Sequence, residues 1–224
     1  MKKMSKVILS ASMLLASSSA WSASLTLAGD YAINGTTVAA RPELGGVVLE
    51  DMISSYSFTG TAGQQLEGNI QNRVVRSVDG TVDFYWRIMP TGGNDDIEAF
   101  RVTGFDGFSL DADWRIDGLG SASPDTARYF GAGSGAVNFL FETDPVGADV
   151  QGAIDDSVFL FLDTDAVNYS LTGQFDLLCA DSGCVSQSYE TFAPSEVPLP
   201  AAVWLFTSGL LGLAGIGRLK RKLK

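Results

Sequence analysis

The sequence predicts an all-β domain, an antiparallel β-sandwich of jelly-roll-like type, and three observations predict it. Residues 81–88 alternate between apolar and polar side chains, the period-two pattern of a strand with one buried face. Glycine and Asp/Asn turn signals separate nine to eleven short segments of this kind. No convincing long amphipathic helix is found between residues 21 and 196. Short strands joined by frequent turns are typical of antiparallel sandwiches.

The clearest strand is residues 81–88, with Val82, Phe84, Trp86 and Ile88 on one face and Thr81, Asp83, Tyr85 and Arg87 on the other. The turn signal Asp79-Gly80 precedes it, which makes residues 68–77 its hairpin partner. Residues 158–162 are apolar throughout and are expected to form a central strand covered on both faces. The other predicted strands are residues 54–60, 97–105, 108–114, 136–141, 170–178 and 185–192.

The N-terminus has the pattern of a secretory signal peptide. Lys2, Lys3 and Lys6 precede an apolar stretch at residues 7–16, and Ser18 and Ala20 occupy the −3 and −1 positions of a cleavage site. The apolar stretch is too short to cross about 30 Å of hydrocarbon. We therefore expect residues 1–20 to be removed, with cleavage as late as residue 23 as an alternative.

The C-terminus has the pattern of a short membrane-spanning helix with a basic end. Residues 201–217 carry no charge, and as a helix they would span about 25 Å. The basic residues behind them are Arg218, Lys220, Arg221, Lys222 and Lys224. Such a cluster holds its side of the helix in the cytoplasm and leaves the preceding domain outside. Pro198 and Pro200 favour an extended segment before the helix.

These residues resemble a known sorting signal. The stretch Val197, Pro198, Leu199, Pro200 and Ala201, followed by the glycine-containing apolar segment and the basic end, is similar to the PEP-CTERM signal in its Val-Pro-Leu-Pro-Ala variant. The signal peptide predicts export through the Sec translocon and cleavage by signal peptidase, and the resemblance of the tail implies a transient stay in the inner membrane. It then implies recognition by an exosortase and delivery to the cell surface or extracellular matrix, beside exopolysaccharide in a biofilm. A tail anchor that is never cleaved is the alternative.

The predicted domains are therefore the signal peptide at 1–20, a β-sandwich ectodomain at 21–193 and the sorting tail at 194–224. The seven basic residues between the two basic ends are all arginines, and all 26 acidic residues lie there too, which gives this part a charge of −19. We expect no nucleic-acid partner, because phosphate backbones would be repelled. The chain has no histidine, which argues against zinc, copper and Ser-His-Asp chemistry.

Cys179 and Cys184 are the only cysteines, and in an exported protein such a pair predicts a disulfide. The turn-forming residues between them place the bridge at a hairpin. A redox pair is the alternative, and the four-residue spacing does not favour it.

Carboxylates are the abundant reactive groups. Asp155 with Asp156 and Asp163 with Asp165 are candidate calcium ligands, because Ca²⁺ prefers oxygen ligands on loops. The clusters 95–98 and 111–113 have the same composition, and no cluster has the spacing of a calcium loop. A solvated acidic surface is therefore the favoured interpretation.

Aromatic side chains matter if the ligand is a sugar. Trp86 is expected in the core and Trp114 is a weaker core candidate, while Tyr85 and Tyr129 are candidates for exposure. We expect a non-catalytic matrix protein, which needs no cofactor and either binds exopolysaccharide or only accompanies it. Two alternatives stay open. One is a glycoside hydrolase with paired carboxylates, and the other is a structural surface protein without a ligand.

Overall fold

A computed structural model describes residues 23–143, 145–147, 155–180 and 184–196, and it forms two antiparallel sheets of six strands each. The first sheet contains, in spatial order, β1 (Ala23–Ser24), β7 (Leu110–Trp114), β10 (Leu160–Thr164), β5 (Val82–Gly93), β4 (Gln65–Ser77) and β3 (Gly46–Thr59). The second contains β12 (Tyr189–Pro194), β11 (Tyr169–Cys179), β6 (Ile97–Thr103), β9 (Val137–Leu140), β8 (Thr126–Tyr129) and β2 (Gly29–Ala32). The predicted all-β sandwich is confirmed.

The described residues contain one helical element, a 3-10 turn at Pro42–Leu44. None of their elements is a helix of the length and apolarity needed to cross a bilayer. The predicted signal peptide and the sorting tail from residue 197 onward lie outside the described residues.

The sequence underestimates the strands in two ways. β1, β2 and β8 were not predicted, because they have only two to four residues each and no clean alternation. β3, β4 and β5 are 12 to 14 residues long and extend beyond the predicted segments. Long neighbouring strands support each other through the ladder, so local polar residues do not end them.

The main core lies between the sheets and is centred on Trp86. Its side chain is 1% exposed and packs against Phe100, Phe105 and Phe139 with ring centroids 5.7 to 6.5 Å apart. The indole N–H donates to Thr191 Oγ1 at 2.8 Å, which satisfies the polar atom of this buried ring. The prediction of Trp86 as a core residue is confirmed.

The predicted one-sided burial of residues 81–88 is wrong. Asp83 and Tyr85 lie on the face that the alternation assigned to solvent, yet they are 0% and 3% exposed. The physical reason is a second layer: Leu44, Val75, Tyr85, Phe159 and Phe161 form a separate buried cluster on the outer face of the first sheet. β10 is buried on both faces, as predicted, because it lies between the main core and this cluster.

The predicted disulfide between Cys179 and Cys184 is confirmed. The disulfide joins Cys179, at the end of β11, to Cys184. The next residue, Val185, forms an isolated antiparallel bridge with Leu178. The backbone N–H of Cys179 also donates to the Cys184 carbonyl at 3.1 Å. The disulfide and the bridge therefore hold Cys184 and Val185 against the end of β11, before the chain continues to β12.

Candidate functional site

A segment of chain before β3 crosses the outer face of the first sheet, the side turned away from the second sheet. Gly35 N–H donates to Asp113 Oδ1 at 2.8 Å, and Thr36 exchanges backbone hydrogen bonds with Trp114 and Ile116 at 2.8 Å each. Leu44, at the other end of the segment, is 2% exposed. We call residues 35–45 the cover segment. It turns the outer face into a partly buried surface on which ionisable groups meet.

Arg41 of the cover segment holds three carboxylates together. Its guanidinium bonds Glu43 at 2.8 Å, Asp111 at 2.9 Å and Asp163 at 2.6 Å. Burial opposes its charge, but the hydrogen bonds that it donates to Glu43 and Asp111, with the attraction of the charges on Asp111 and Asp163, outweigh burial and raise the pKa of Arg41. Burial also raises the pKa of Asp111, against the pull of Arg41. This arrangement joins parts of the chain up to 122 residues apart.

Asp83 is a fully buried carboxyl beside this group. It accepts a short hydrogen bond from the Ser77 hydroxyl, and its Oδ1 has no partner among the described residues. Burial and the neighbouring charge of Asp163 raise the pKa of Asp83 to about 8. Burial likewise raises the pKa of Asp163. The favoured sequence interpretation of the acidic clusters, a solvated surface, is wrong for Asp113, which is 1% exposed.

A pocket of about 280 Å³ lies on the outer face, between the cover segment and the first sheet. We call it the arginine pocket. Its polar lining is Arg73, Tyr85, Arg115 and Asp117, and its apolar lining is Val38, Leu44, Val48, Val75 and Phe159. The guanidinium of Arg73 lies 4.7 Å from the Phe159 ring centroid, and that of Arg115 lies 5.9 Å from the Tyr85 ring centroid. Both arginines therefore stack on aromatic rings, and the stacking orients them.

The polar atoms of the arginine pocket are short of hydrogen-bond partners. Among the described residues, the Tyr85 hydroxyl and the Nε atoms of Arg73 and Arg115 have none. Burial raises the pKa of Tyr85, which keeps the phenol protonated and able to donate. The expectation that Tyr85 is exposed is wrong, because the residue is 3% exposed, although it is one of those that line the pocket. Buried donors without partners are rare in folded proteins, and these three atoms have almost no accessible surface, so they lie behind the pocket wall.

A second pocket of about 250 Å³ carries the opposite charge, and we call it the acidic pocket. It is lined by Ser24, Asp79, Thr81, Ser109, Leu110, Asp111, Asp163, Thr164 and Asp165. Asp165 accepts from the amide and hydroxyl of Ser109 at 2.9 and 3.0 Å. The acidic pocket thus brings together carboxylates that the sequence placed in separate clusters, and two of them also bond Arg41.

The four candidate calcium ligands do not form one group. Asp163 and Asp165 lie at the end of β10 and line the acidic pocket. Asp155 and Asp156 precede β10 and bond Ser121 at 2.7 Å and Arg87 at 2.8 Å. Within the described ranges, no three or more His, Cys, Asp or Glu side chains are arranged to hold a metal ion. Calcium binding stays a prediction.

The remaining aromatic candidates are structural. Trp114 is half-buried, and its indole packs so closely over Gly35 that a Cβ there would overlap the ring. Tyr129 is 6% exposed, so its predicted exposure is wrong. It lies in β8, which pairs with both β2 and β9, and this unpredicted strand explains its burial.

Sequence reasoning did not find the arginine pocket. Its polar residues come from β4, β5 and the segment after β7, and no local motif connects them. One signal was present: the middle of the chain has arginine as its only basic residue type, and arginine stacks on aromatic rings where lysine does so less well. Searches of family models, curated proteins and solved structures gave no match to this chain.

Proposed function

We propose that this chain is an exported surface or matrix protein whose sandwich binds a glycan in the arginine pocket without catalysing a reaction. The observation that carries the proposal is the pocket itself, where the guanidinium groups of Arg73 and Arg115 lie beside the exposed aliphatic side chains of Val38 and Val48. Sugar sites need both elements, since the sugar hydroxyls take hydrogen bonds while the C–H face of the ring covers apolar side chains. The exopolysaccharide of the producing cell is the proposed ligand.

The export part of the proposal comes from the two ends of the sequence. Cleavage after Ala20 would leave β1 complete, and β1 pairs Ala23 with Ala112 at the edge of the first sheet. The Cys179–Cys184 disulfide suits an oxidising compartment. We infer that the tail anchors the chain in the inner membrane until an exosortase releases it to the surface or matrix, with permanent anchoring as the alternative.

We further propose that the sandwich is jelly-roll-like. β8 pairs with β9, β7 with β10 and β6 with β11, all antiparallel. This nested pairing is what a long hairpin gives when it rolls into two sheets. β5 departs from this nested pairing, because β5 pairs with β10 rather than with β12.

The test of glycan binding is obstruction of the arginine pocket. Val38 is 37% exposed and lines the pocket, so we expect Val38→Trp to abolish saturable binding to the producer's own polysaccharide. Val78→Trp is the matched control, because Val78 is 70% exposed and lies outside the pocket. Binding that survives Val38→Trp would contradict the proposed site, and no binding by the unmodified chain would leave the ligand-free structural role.

The hydrolase alternative belongs to the acidic pocket. Burial raises the pKa values of Asp111 and Asp163 there, and a carboxylic acid with a raised pKa is what a glycosidase uses as its general acid. Both carboxylates also bond Arg41, which favours a structural role. Release of reducing sugar that disappears in Asp163→Asn would establish the hydrolase, and no release by the unmodified chain would remove it.

A further inference from the structure

We propose that the arginine pocket selects a sugar that carries a carboxylate, so that its ligand class is an acidic, uronate-containing glycan. This inference rests on the proposed function, because it names the chemistry of the glycan that the same pocket holds. It is carried by the charge balance around Arg115, by the donors of the pocket and by its apolar walls.

Arg115 is exceptional among the arginines of a strongly acidic domain. Five of the seven bond a carboxylate: Arg41, Arg73, Arg87, Arg101 and Arg128. Arg76 bonds the carbonyls of Gly80 and Val167. The guanidinium of Arg115 lies against the Tyr85 ring and bonds no carboxylate among the described residues. A chain with 26 acidic residues could have paired this side chain, and it leaves a half-buried cation facing a pocket.

The donors of the pocket match a carboxylate. The guanidinium groups of Arg73 and Arg115 both line the pocket, and Arg73 bonds Asp51 through one of its terminal nitrogens. The pocket holds one carboxylate of its own, Asp117, whose Oδ1 accepts from the Leu119 amide at 3.1 Å. Donors thus outnumber free acceptors. A guanidinium presents parallel N–H groups that fit both oxygens of a carboxylate, which gives short and strong hydrogen bonds.

The walls favour a sugar acid over an inorganic anion. Val38 and Val48 line the pocket, are 37% and 49% exposed, and have no group that a sulfate or phosphate could use. A pyranose ring would cover them with its C–H face while its carboxylate reaches Arg115. The volume of about 280 Å³ lies just under the roughly 300–1,000 Å³ of sites for drug-sized ligands, so it suits one sugar unit of a chain.

The test measures affinity of the full chain by titration calorimetry for trigalacturonate and for the neutral galactotriose of the same linkage. We expect the neutral sugar to bind at least roughly tenfold more weakly, because it lacks the charge-assisted hydrogen bonds. Arg115→Met should remove this preference. Arg76→Met is the matched control, since it deletes the same charge outside the pocket and should keep the preference.

A second variant keeps the test decisive if Arg115→Met does not fold. Asp117→Asn removes the negative charge inside the pocket, so it should tighten trigalacturonate binding several-fold and leave galactotriose unchanged. Equal affinity for the two sugars in the unmodified chain would overturn the inference and leave glycan binding in place. Displacement of trigalacturonate by sulfate at equal concentration would also overturn it. Failure to bind either sugar or the producer's polysaccharide would overturn both proposals.

Discussion

At the residue scale, the arginines of this domain determine what its carboxylates can do. Arg41 is 11% exposed at its side chain and bonds three carboxylates, whereas Arg128 is 43% exposed and bonds Asp30 alone. Removing one member of a buried ion pair leaves an uncompensated charge, while exposed pairs contribute little. The two arginines therefore allow a direct comparison.

We expect Arg41→Met to lower the free energy of unfolding by about 3 kcal/mol, because Asp111 and Asp163 then stay half-buried without a cation. Arg128→Met should cost about 1 kcal/mol or less. Urea unfolding of the two variants measures both values. Equal costs would show that Arg41 does not neutralise the carboxylates beneath the cover segment.

The raised pKa of the buried Asp83 carboxyl predicts how the free energy of unfolding changes with pH. Its pKa is raised from 3.8 to about 8, so the folded state holds a proton that the unfolded state releases near pH 4. Its contribution to stability is complete below pH 4 and is lost as the pH rises to about 8. In Asp83→Asn this loss should be absent, so the variant gains stability relative to the unmodified protein between pH 4 and 8. Urea unfolding across this range tests it, and parallel profiles would contradict it.

At the element scale, the segment after β7 positions Arg115 by docking on the residues before β10. Arg115 N–H donates to the Phe159 carbonyl at 2.8 Å, and Ser121 N–H donates to the Asp156 carbonyl at 2.9 Å. Gly120 makes this contact possible. It has φ of +75°, and a Cβ there would overlap the Ser157 carbonyl.

We expect Gly120→Ala to destabilise the protein by more than Gly63→Ala. Both glycines have positive φ, which costs alanine about 1–2 kcal/mol, but a Cβ at Gly63 meets no atom within 4 Å. The difference between the two variants therefore isolates the close approach to Ser157. Thermal unfolding provides the comparison, and equal shifts would mean that the docking contact relaxes without cost.

At the scale of the whole molecule, lysine and arginine occupy different parts of the chain. All six lysines lie in the two terminal segments, at Lys2, Lys3, Lys6, Lys220, Lys222 and Lys224, while the residues between them carry only arginine. Removal of both segments would leave a mature chain without lysine. This division gives the proposed processing a chemical signature.

We expect intact-mass measurement of the surface form to give an N-terminus between residues 21 and 24 and a C-terminus between residues 197 and 201. An amine-reactive label should then add a single group, at the new α-amine, because no lysine side chain remains. The precursor is the control and should accept up to seven. A surface form that still accepts label at Lys220, Lys222 and Lys224 would contradict tail removal and favour the permanent anchor.

Sequence patterns were sufficient wherever the interaction is local. The alternation around Trp86 placed that side chain in the core, because strand geometry sends every second residue to one face. The pair Cys179 and Cys184 predicted its own disulfide, because two cysteines so close in sequence are within reach of each other. The apolar run before Asp163 predicted a strand covered on both sides, because an exposed face of that composition would be unfavourable.

By itself, then, the sequence determined the fold class, the core tryptophan and the disulfide. Only the tertiary structure decided that a second layer covers the outer face and buries Asp83 and Tyr85. It also decided that Arg73 and Arg115 meet in one pocket, since these residues reach it from different strands. Local backbone geometry limits what a short pattern can specify, while contacts between distant segments depend on how whole sheets pack.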